Sequence, residues 1–189
     1  MAILPITVYG DDILRNKTKE VKNIDGKLVD IINDMFETMY NADGIGLAAN
    51  QVGIDKSLFV IDVSPLEGFE KVKPLVMINP KILYTSDEKD FYKEGCLSVP
   101  YLTAQVERPI GITISYLDLN GNEQKLERDD FLARVIQHEY DHLNGILFTD
   151  KVNKREKSKL TRDLIKIAKR EIEVHYKITE KERKLFKWK

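Results

Sequence analysis

Seven residues, Gln137-His138-Glu139-Tyr140-Asp141-His142-Leu143, restrict the fold of this chain more than any other stretch. Leu132, Val135, Ile136, Glu139 and Leu143 recur at three- and four-residue spacing. That period predicts a helix over about Phe131–Leu143 with the stripe turned into a core. Asp129 or Asp130 can cap its start, and Asn144-Gly145 can close its end. Glu139 falls inside the stripe. Burying an unpaired carboxylate costs several kcal/mol, on the order of 2–7 or more, so the fold must give this one a use. An ordinary amphipathic helix with two surface histidines would not explain it. His138 and His142, four residues apart, project from one face with imidazoles close enough to bind one metal ion. Glu139 stands beside the first of them, where a carboxylate can reach a water.

Two imidazoles do not complete a site. A catalytic divalent ion usually takes three protein ligands and keeps one position open. The third histidine, His175, lies 33 residues beyond His142 near the end of a charged helix and is a poor ligand. The remaining choices are Glu171, on that same helix, and Cys96. Cys96 is the only thiol, in Glu94-Gly95-Cys96-Leu97-Ser98-Val99-Pro100. A lone cysteine is ordinarily a small buried hydrophobe. Here Gly95 precedes it and Pro100 follows, in the longest charge-free stretch of the chain, residues 95–106. Such a backbone can approach a ligand or another chain closely. A Cys-His-His set would suit Zn(II) and could hold Fe(II).

The second charge-free window begins Gly44-Ile45-Gly46-Leu47-Ala48-Ala49-Asn50-Gln51. It follows a helix instead of a strand, and no Lys-Ser/Thr comes after it, so phosphate binding is disfavoured. What remains is a loop of small residues ending in the Gln51 amide, either a solvated loop residue or a hydrogen-bond donor to a developing oxyanion.

The rest of the chain frames these segments. Leu28, Ile31, Ile32, Met35, Phe36 and Met39 predict a helix over 27–41, capped by Asp25 and ended by Gly44 and Gly46. Ser57–Val63, Pro74–Ile78 and Lys81–Thr85 read as strands. Gly111–Leu119 and Asn122–Arg128 form a hairpin through Asn120-Gly121, a pair that favours a type I′ turn. A third helix is expected from about Glu156 to Tyr176. Helix, short strands, helix, helix is an α+β order, without βαβ alternation. One cysteine excludes an intrachain disulfide, and the twelve-residue window 95–106 is short of the roughly twenty residues a bilayer span requires. The expectation is a cytoplasmic protein with no membrane partner.

Taken together, Gly44–Gln51, Glu94–Val99 and Gln137–Leu143 resemble the three signature motifs of the peptide deformylase family, in the family's order. The resemblance extends over about residues 1–150. It implies short antiparallel or mixed β-sheets wrapped around a central metal-binding helix, with N-terminal and C-terminal helices. It implies removal of the formyl group from N-formylmethionine at the start of new bacterial or organellar proteins, with release of formate. Cys96, His138 and His142 would hold the metal, natively Fe(II), with Zn(II) or Ni(II) possible. Glu139 would move protons between water and the leaving amine. Gln51 and the Leu97 backbone N–H would hold the oxyanion. Gly44, Ile45 and Gly46 would bind the substrate backbone as an added strand. Glu94, Gly95 and Val135 complete the expected substrate-binding set, with Val135 in the methionine pocket and Glu94 paired to Arg108 to brace the Cys96 loop. Two rivals are a zinc endopeptidase using His138, His142 and Glu171, and a non-enzymatic binding module with a structural metal.

Thirty Lys+Arg against thirty-one Asp+Glu give a net charge of −1, which argues against a general nucleic-acid or membrane binder. That total hides a division. Residues 1–150 carry 15 Lys+Arg against 25 Asp+Glu, whereas residues 151–189 carry 15 against 6. The expected organisation is a catalytic body, 1–150, and a basic C-terminal extension, 151–189. Within the extension, Thr179-x-x-Glu182 reads as a capping box, and Leu185, Phe186 and Trp188 alternate with lysines. Aromatics among cations suit an RNA surface. The resemblance adds an expected partner, the ribosome near the tunnel exit, and the protein is expected to be a monomer.

Overall fold

A computed structural model describes residues 2–181. The elements run α1 (Gly26–Asn41), β1 (Gly46–Ala48), β2 (Leu58–Ile61), β3 (Leu75–Thr85), β4 (Lys89–Cys96), β5 (Val99–Pro109), β6 (Ile112–Leu117), β7 (Glu123–Arg128), α2 (Phe131–Leu143), α3 (Phe148–Lys151) and α4 (Lys154–Lys169). Five strands form one antiparallel sheet in the order β1-β2-β3-β6-β7, and β4 and β5 form a separate antiparallel pair. This is the expected α+β architecture. The only parallel element among the described residues is a single bridge between Ile6 and Ile178.

Strand alternation divides the core between two helices. Leu58, Val60 and Ile78 turn toward Leu28, Ile32, Met35 and Met39 of α1. Phe59, Ile61 and Met77, the residues between, turn toward Leu132, Val135 and Ile136 of α2. The middle of the sheet is therefore buried on both faces, and α2 lies at the centre of the molecule. Each such side chain contributes about 1.5–3 kcal/mol by leaving water. A third cluster joins Val99, Ala104 and Val106 of β5 to Phe148 of α3 and Leu164 and Ile167 of α4.

Both expected caps form. The Asp25 carboxylate accepts from the Leu28 N–H at 2.9 Å, and Asp130 accepts from Leu132 at 3.1 Å. Several boundaries differ from expectation. The left-handed residue that ends α1 is Asp43 (φ 54°), not a glycine. The segments 74–78 and 81–85 are one strand, β3, interrupted at Asn79 (φ 49°), whose side chain pairs with both backbone groups of Val21. The β6–β7 turn is not type I′: only Gly121 has positive φ (78°), while the Asp118 carboxylate accepts from the Asn120 and Asn122 amides. The hairpin β4–β5 was not expected at all.

The third helix ends at Lys169, where Arg170 turns the chain in the left-handed conformation (φ 63°). His175 is thus not helical. The chain instead returns to the N-terminal segment, with Ile6 N–H donating to Lys177 C=O and Thr179 N–H to Ile6 C=O. The Thr179 hydroxyl donates to Asp11 at 2.7 Å. Glu182, the partner in the expected capping box, and Leu185, Phe186 and Trp188 lie outside the described residues. Among the described residues no helix is long and apolar enough to cross a membrane.

Candidate metal centre and peptide cleft

The buried face of α2 opens onto a cleft of about 490 Å³. One wall is the loop into β1 (Gly44, Ile45, Gly46), another the β4–β5 hairpin (Glu94, Gly95, Cys96, Leu97), and the floor is α2 (Val135, His138, Glu139). Gln51 is also at the lining, so the sequence-predicted site residues come together here, His142 lying directly behind them.

Cys96, His138 and His142 each present one donor atom, all within 4.8 Å of one another, and the Cys96 Sγ lies 3.1 Å from His142 Nε2. Ligands of a tetrahedral ion at ordinary Zn–S and Zn–N bond lengths sit about 3.5 Å apart, so this set is close to a coordination sphere already. One thiolate and two imidazoles suit a borderline divalent cation. Among the described residues no other group of three or more ligating side chains converges in this way, and Glu171, just beyond the end of α4, is not in it. The donor set therefore fits a divalent metal with a position left for another ligand.

The hairpin presents Cys96 and braces it. Cys96 ends β4, Leu97 and Ser98 make the turn, and Val99 opens β5. Glu94, two residues before the thiol, accepts from Arg108 Nε and Nη2 at 2.6 and 2.9 Å and contacts His138 Nδ1 at 2.9 Å. Arg108 also donates to Asp141 at 2.5 Å, and Arg134 donates to Glu94 at 3.3 Å. The expected Glu94–Arg108 pair exists, and it is buried instead of lying at the surface: its side chains are 5% and 2% exposed. Although burial alone would raise it, Arg108 and His138 hold the Glu94 carboxyl down to about 2. It is an anion that fixes the ring of His138 from behind.

The two imidazoles are pushed apart. Burial depresses both, but contacts with Cys96 and Glu94 outweigh it at His138 and hold that ring well above the ordinary value. At His142 burial and the neighbouring His138 both push down, which favours the neutral ring. The Asn50 amide donates to the His142 carbonyl at 2.6 Å and ties the end of α2 to the glycine-rich loop.

Glu139 is 4% exposed, and its Oε2 has no hydrogen-bond partner. Burial raises its carboxyl to about 7, the charges of His138 and Arg108 opposing the shift. Gly46 is shaped around it: a Cβ there would lie 2.5 Å from Glu139 Oε1. Gly44 makes similar room for Leu97, whose Cδ1 would be 2.8 Å from an added Cβ. Gln51 is not solvated; it is 1% exposed. Its Oε1 accepts from the Ala48 N–H at 2.8 Å, which directs Nε2 toward Ser98 Oγ at 3.1 Å and Cys96 Sγ at 3.5 Å.

Sequence reasoning missed several residues of this site. Arg134 and Asp141 extend the ion network; Arg134 lies four residues before His138, and that spacing was the available signal. Tyr101, His175 and Tyr176 also line the cleft. The last two arrive from the returning C-terminal segment, and no local pattern announces them. Burial, with Cys96 and Tyr101 adding, pushes the Tyr176 phenol up.

The chain resembles known proteins over most of its length. Residues 3–158 match the family model described as polypeptide deformylase. A peptide deformylase of Chlorobium phaeovibrioides is 49% identical over 174 residues, covering 92% of this chain and 91% of the relative. One from Rhizobium meliloti is 47% identical over 169 residues, covering 89% and 96%. Among solved structures, a peptide deformylase from Synechococcus elongatus in complex with actinonin superposes with a TM-score of 0.79 at 47% identity, covering 86% of this chain and 87% of that one.

Proposed function

This chain belongs to the polypeptide deformylase family, and from that premise we propose how its residues divide the work. The protein is a metal-dependent hydrolase that removes the formyl group from the N-terminal formylmethionine of nascent polypeptides and releases formate. Cys96, His138 and His142 would hold the metal. A divalent ion bound there supplies Lewis acidity, which makes water a competent nucleophile near neutral pH. The native ion is Fe(II), with Zn(II) or Ni(II) able to substitute; a donor set acceptable to all three supports this.

The observation that carries the mechanism is Glu139, a buried carboxylate with one unpartnered oxygen beside the three ligands. It takes a proton from the attacking water and returns it to the leaving amine, a role ordinarily worth about 10²–10⁴-fold in rate. Gln51 Nε2 and the Leu97 N–H donate to the oxyanion that develops on the formyl carbonyl. The Ala48 N–H orients the Gln51 amide with Nε2 on the Cys96 side, which supports this role, and such a donor contributes about 2.7–4 kcal/mol. β1 is an edge strand, so Gly46 and the two residues that lead into it, Gly44 and Ile45, can pair with the substrate backbone while Gly95 approaches from the hairpin side. Val135, in the floor, contacts the methionine side chain. Glu94 acts through His138 and the Cys96 loop.

Residues 1–150 form the catalytic body, which carries the metal ligands, and residues 151–189 a basic extension, a division supported by the change in charge balance at residue 150. The excess of cations beyond residue 150 supports docking of the extension on the ribosome near the tunnel exit. The protein works as a cytoplasmic monomer. Formate release from formyl-Met-Ala-Ser, lost in Glu139→Ala with fold and metal retained, tests the reading.

A further inference from the structure

The C-terminal segment beyond α4 crosses back over the edge of the cleft. Arg170 and Thr179 both bond to Asp11, and Ile178 bridges to Ile6, which anchors the segment at its two ends. Between those anchors, Tyr101 donates its hydroxyl to the Glu173 carbonyl, and His175 Nε2 lies 3.2 Å from Asp43. Tyr176 reaches furthest in. Its hydroxyl donates to the Leu97 carbonyl at 2.7 Å, and its ring packs with Leu97 against the α1 core.

Leu97 and Ser98 form the two-residue turn between β4 and β5, and both turn carbonyls are held from outside the hairpin. Tyr176 holds Leu97 C=O, and the Tyr9 N–H holds Ser98 C=O at 2.8 Å. The Leu97 carbonyl belongs to the Leu97–Ser98 peptide group, so holding it restrains the torsions at Leu97 and, through its Cα, the orientation of the preceding Cys96–Leu97 peptide that carries the Leu97 N–H. Displacing a donor by about 1 Å can cost on the order of 10²-fold in rate.

We propose that Tyr176 is a positioning residue: its hydroxyl fixes the Leu97 turn so that the Leu97 N–H meets the oxyanion. This rests on the role given to Leu97 above. The test uses the full-length, metal-loaded enzyme and compares Tyr176→Phe with Thr179→Val. The first removes only the hydroxyl on Leu97; the second removes one contact with Asp11, away from the reacting atoms, and leaves Arg170 on Asp11 and both backbone bonds of Ile6 to hold the segment. Turnover of formyl-Met-Ala-Ser, metal content and Tm are measured for each. In Tyr176→Phe, kcat falls by about tenfold or more with KM within about twofold and metal content unchanged. In Thr179→Val, kcat stays within about twofold even where Tm falls as far. A Tyr176→Phe enzyme with parental kcat, a change in KM alone, or equal kcat losses in both variants would overturn the assignment. A parent enzyme that releases no formate would remove the underlying function instead, and the two failures are distinguishable.

Discussion

Glu94 and Arg108 face each other as a buried bidentate pair across the β4–β5 hairpin, and the same carboxylate reaches His138 Nδ1 at 2.9 Å. One anion therefore links the hairpin that carries Cys96 to the helix that carries the two histidines. Arg108 closes the network by donating to Asp141 on α2.

Removing the cation should be costly. Arg108→Leu leaves Glu94 and Asp141 buried without their main partner, and breaking a buried pair from one side costs about 3–5 kcal/mol. The expected result in a denaturant melt is a loss of that size. Glu94→Gln keeps the shape but removes the anion behind His138, and metal affinity should fall about 10–100-fold. Unchanged metal content and turnover in Glu94→Gln would remove the bracing role.

Glycine substitutions separate space from conformation. A Cβ at Gly46 would lie 2.5 Å from Glu139 Oε1, so Gly46→Ala must displace that carboxylate. Turnover should drop by about 10²-fold. Gly26, the first residue of α1, has no atom within 4 Å of an added Cβ. Gly26→Ala should leave turnover at the parental rate and raise stability by up to about 1 kcal/mol.

Much of this site was legible in the sequence because it is carried by helix geometry. A four-residue spacing is enough to put His138 and His142 on one face, and the stripe through Leu132 and Ile136 forces Glu139 inward. Asp25 and Asp130 announced their helices by the same local logic. The β4–β5 hairpin was not legible because two of its inward positions are Glu94 and Arg108, so the alternation that marks a strand is broken by charges that satisfy each other across the fold. The end of α4 was missed because Ile172 continues its apolar period, while Arg170 is held in its turn by the distant Asp11. Propensity sees neighbours in sequence; these contacts span 14 residues in one case and 159 in the other.

One ion-hydrogen-bond pair gives a stability signature away from the metal centre. Tyr40 donates its hydroxyl to Asp62 at 2.7 Å. Burial pulls Asp62 up, but hydrogen bonds from Ser64 and Tyr40 prevail and its pKa is lowered, while burial and the same bond push Tyr40 up to about 12. The depressed carboxyl contributes stability above its unfolded pKa of about 3.9, lost as pH falls through the lower folded value. The raised phenol contributes below about pH 10 and loses that contribution as pH climbs toward 12. The Tm gap between parent and Tyr40→Phe should therefore be widest between these limits and narrow at both extremes. A gap constant from pH 2.5 to 8 would contradict the account.

Metal ligation predicts a sharp contrast between two candidates. Cys96→Ala should lose bound metal and the drop in Tm that a chelator produces in the parent, since an ion that binds only the folded state stabilises it. Glu171→Ala should keep both. The reverse outcome would restore the endopeptidase ligand set.

The most direct test of the central claim is steady formate release from formyl-Met-Ala-Ser by the parent and by Glu139→Ala, with metal content and circular dichroism measured on the same samples. The parent should sustain release, and the variant should lose at least about 10²-fold with metal and fold intact. Release by Glu139→Ala at the parental rate would contradict the claim.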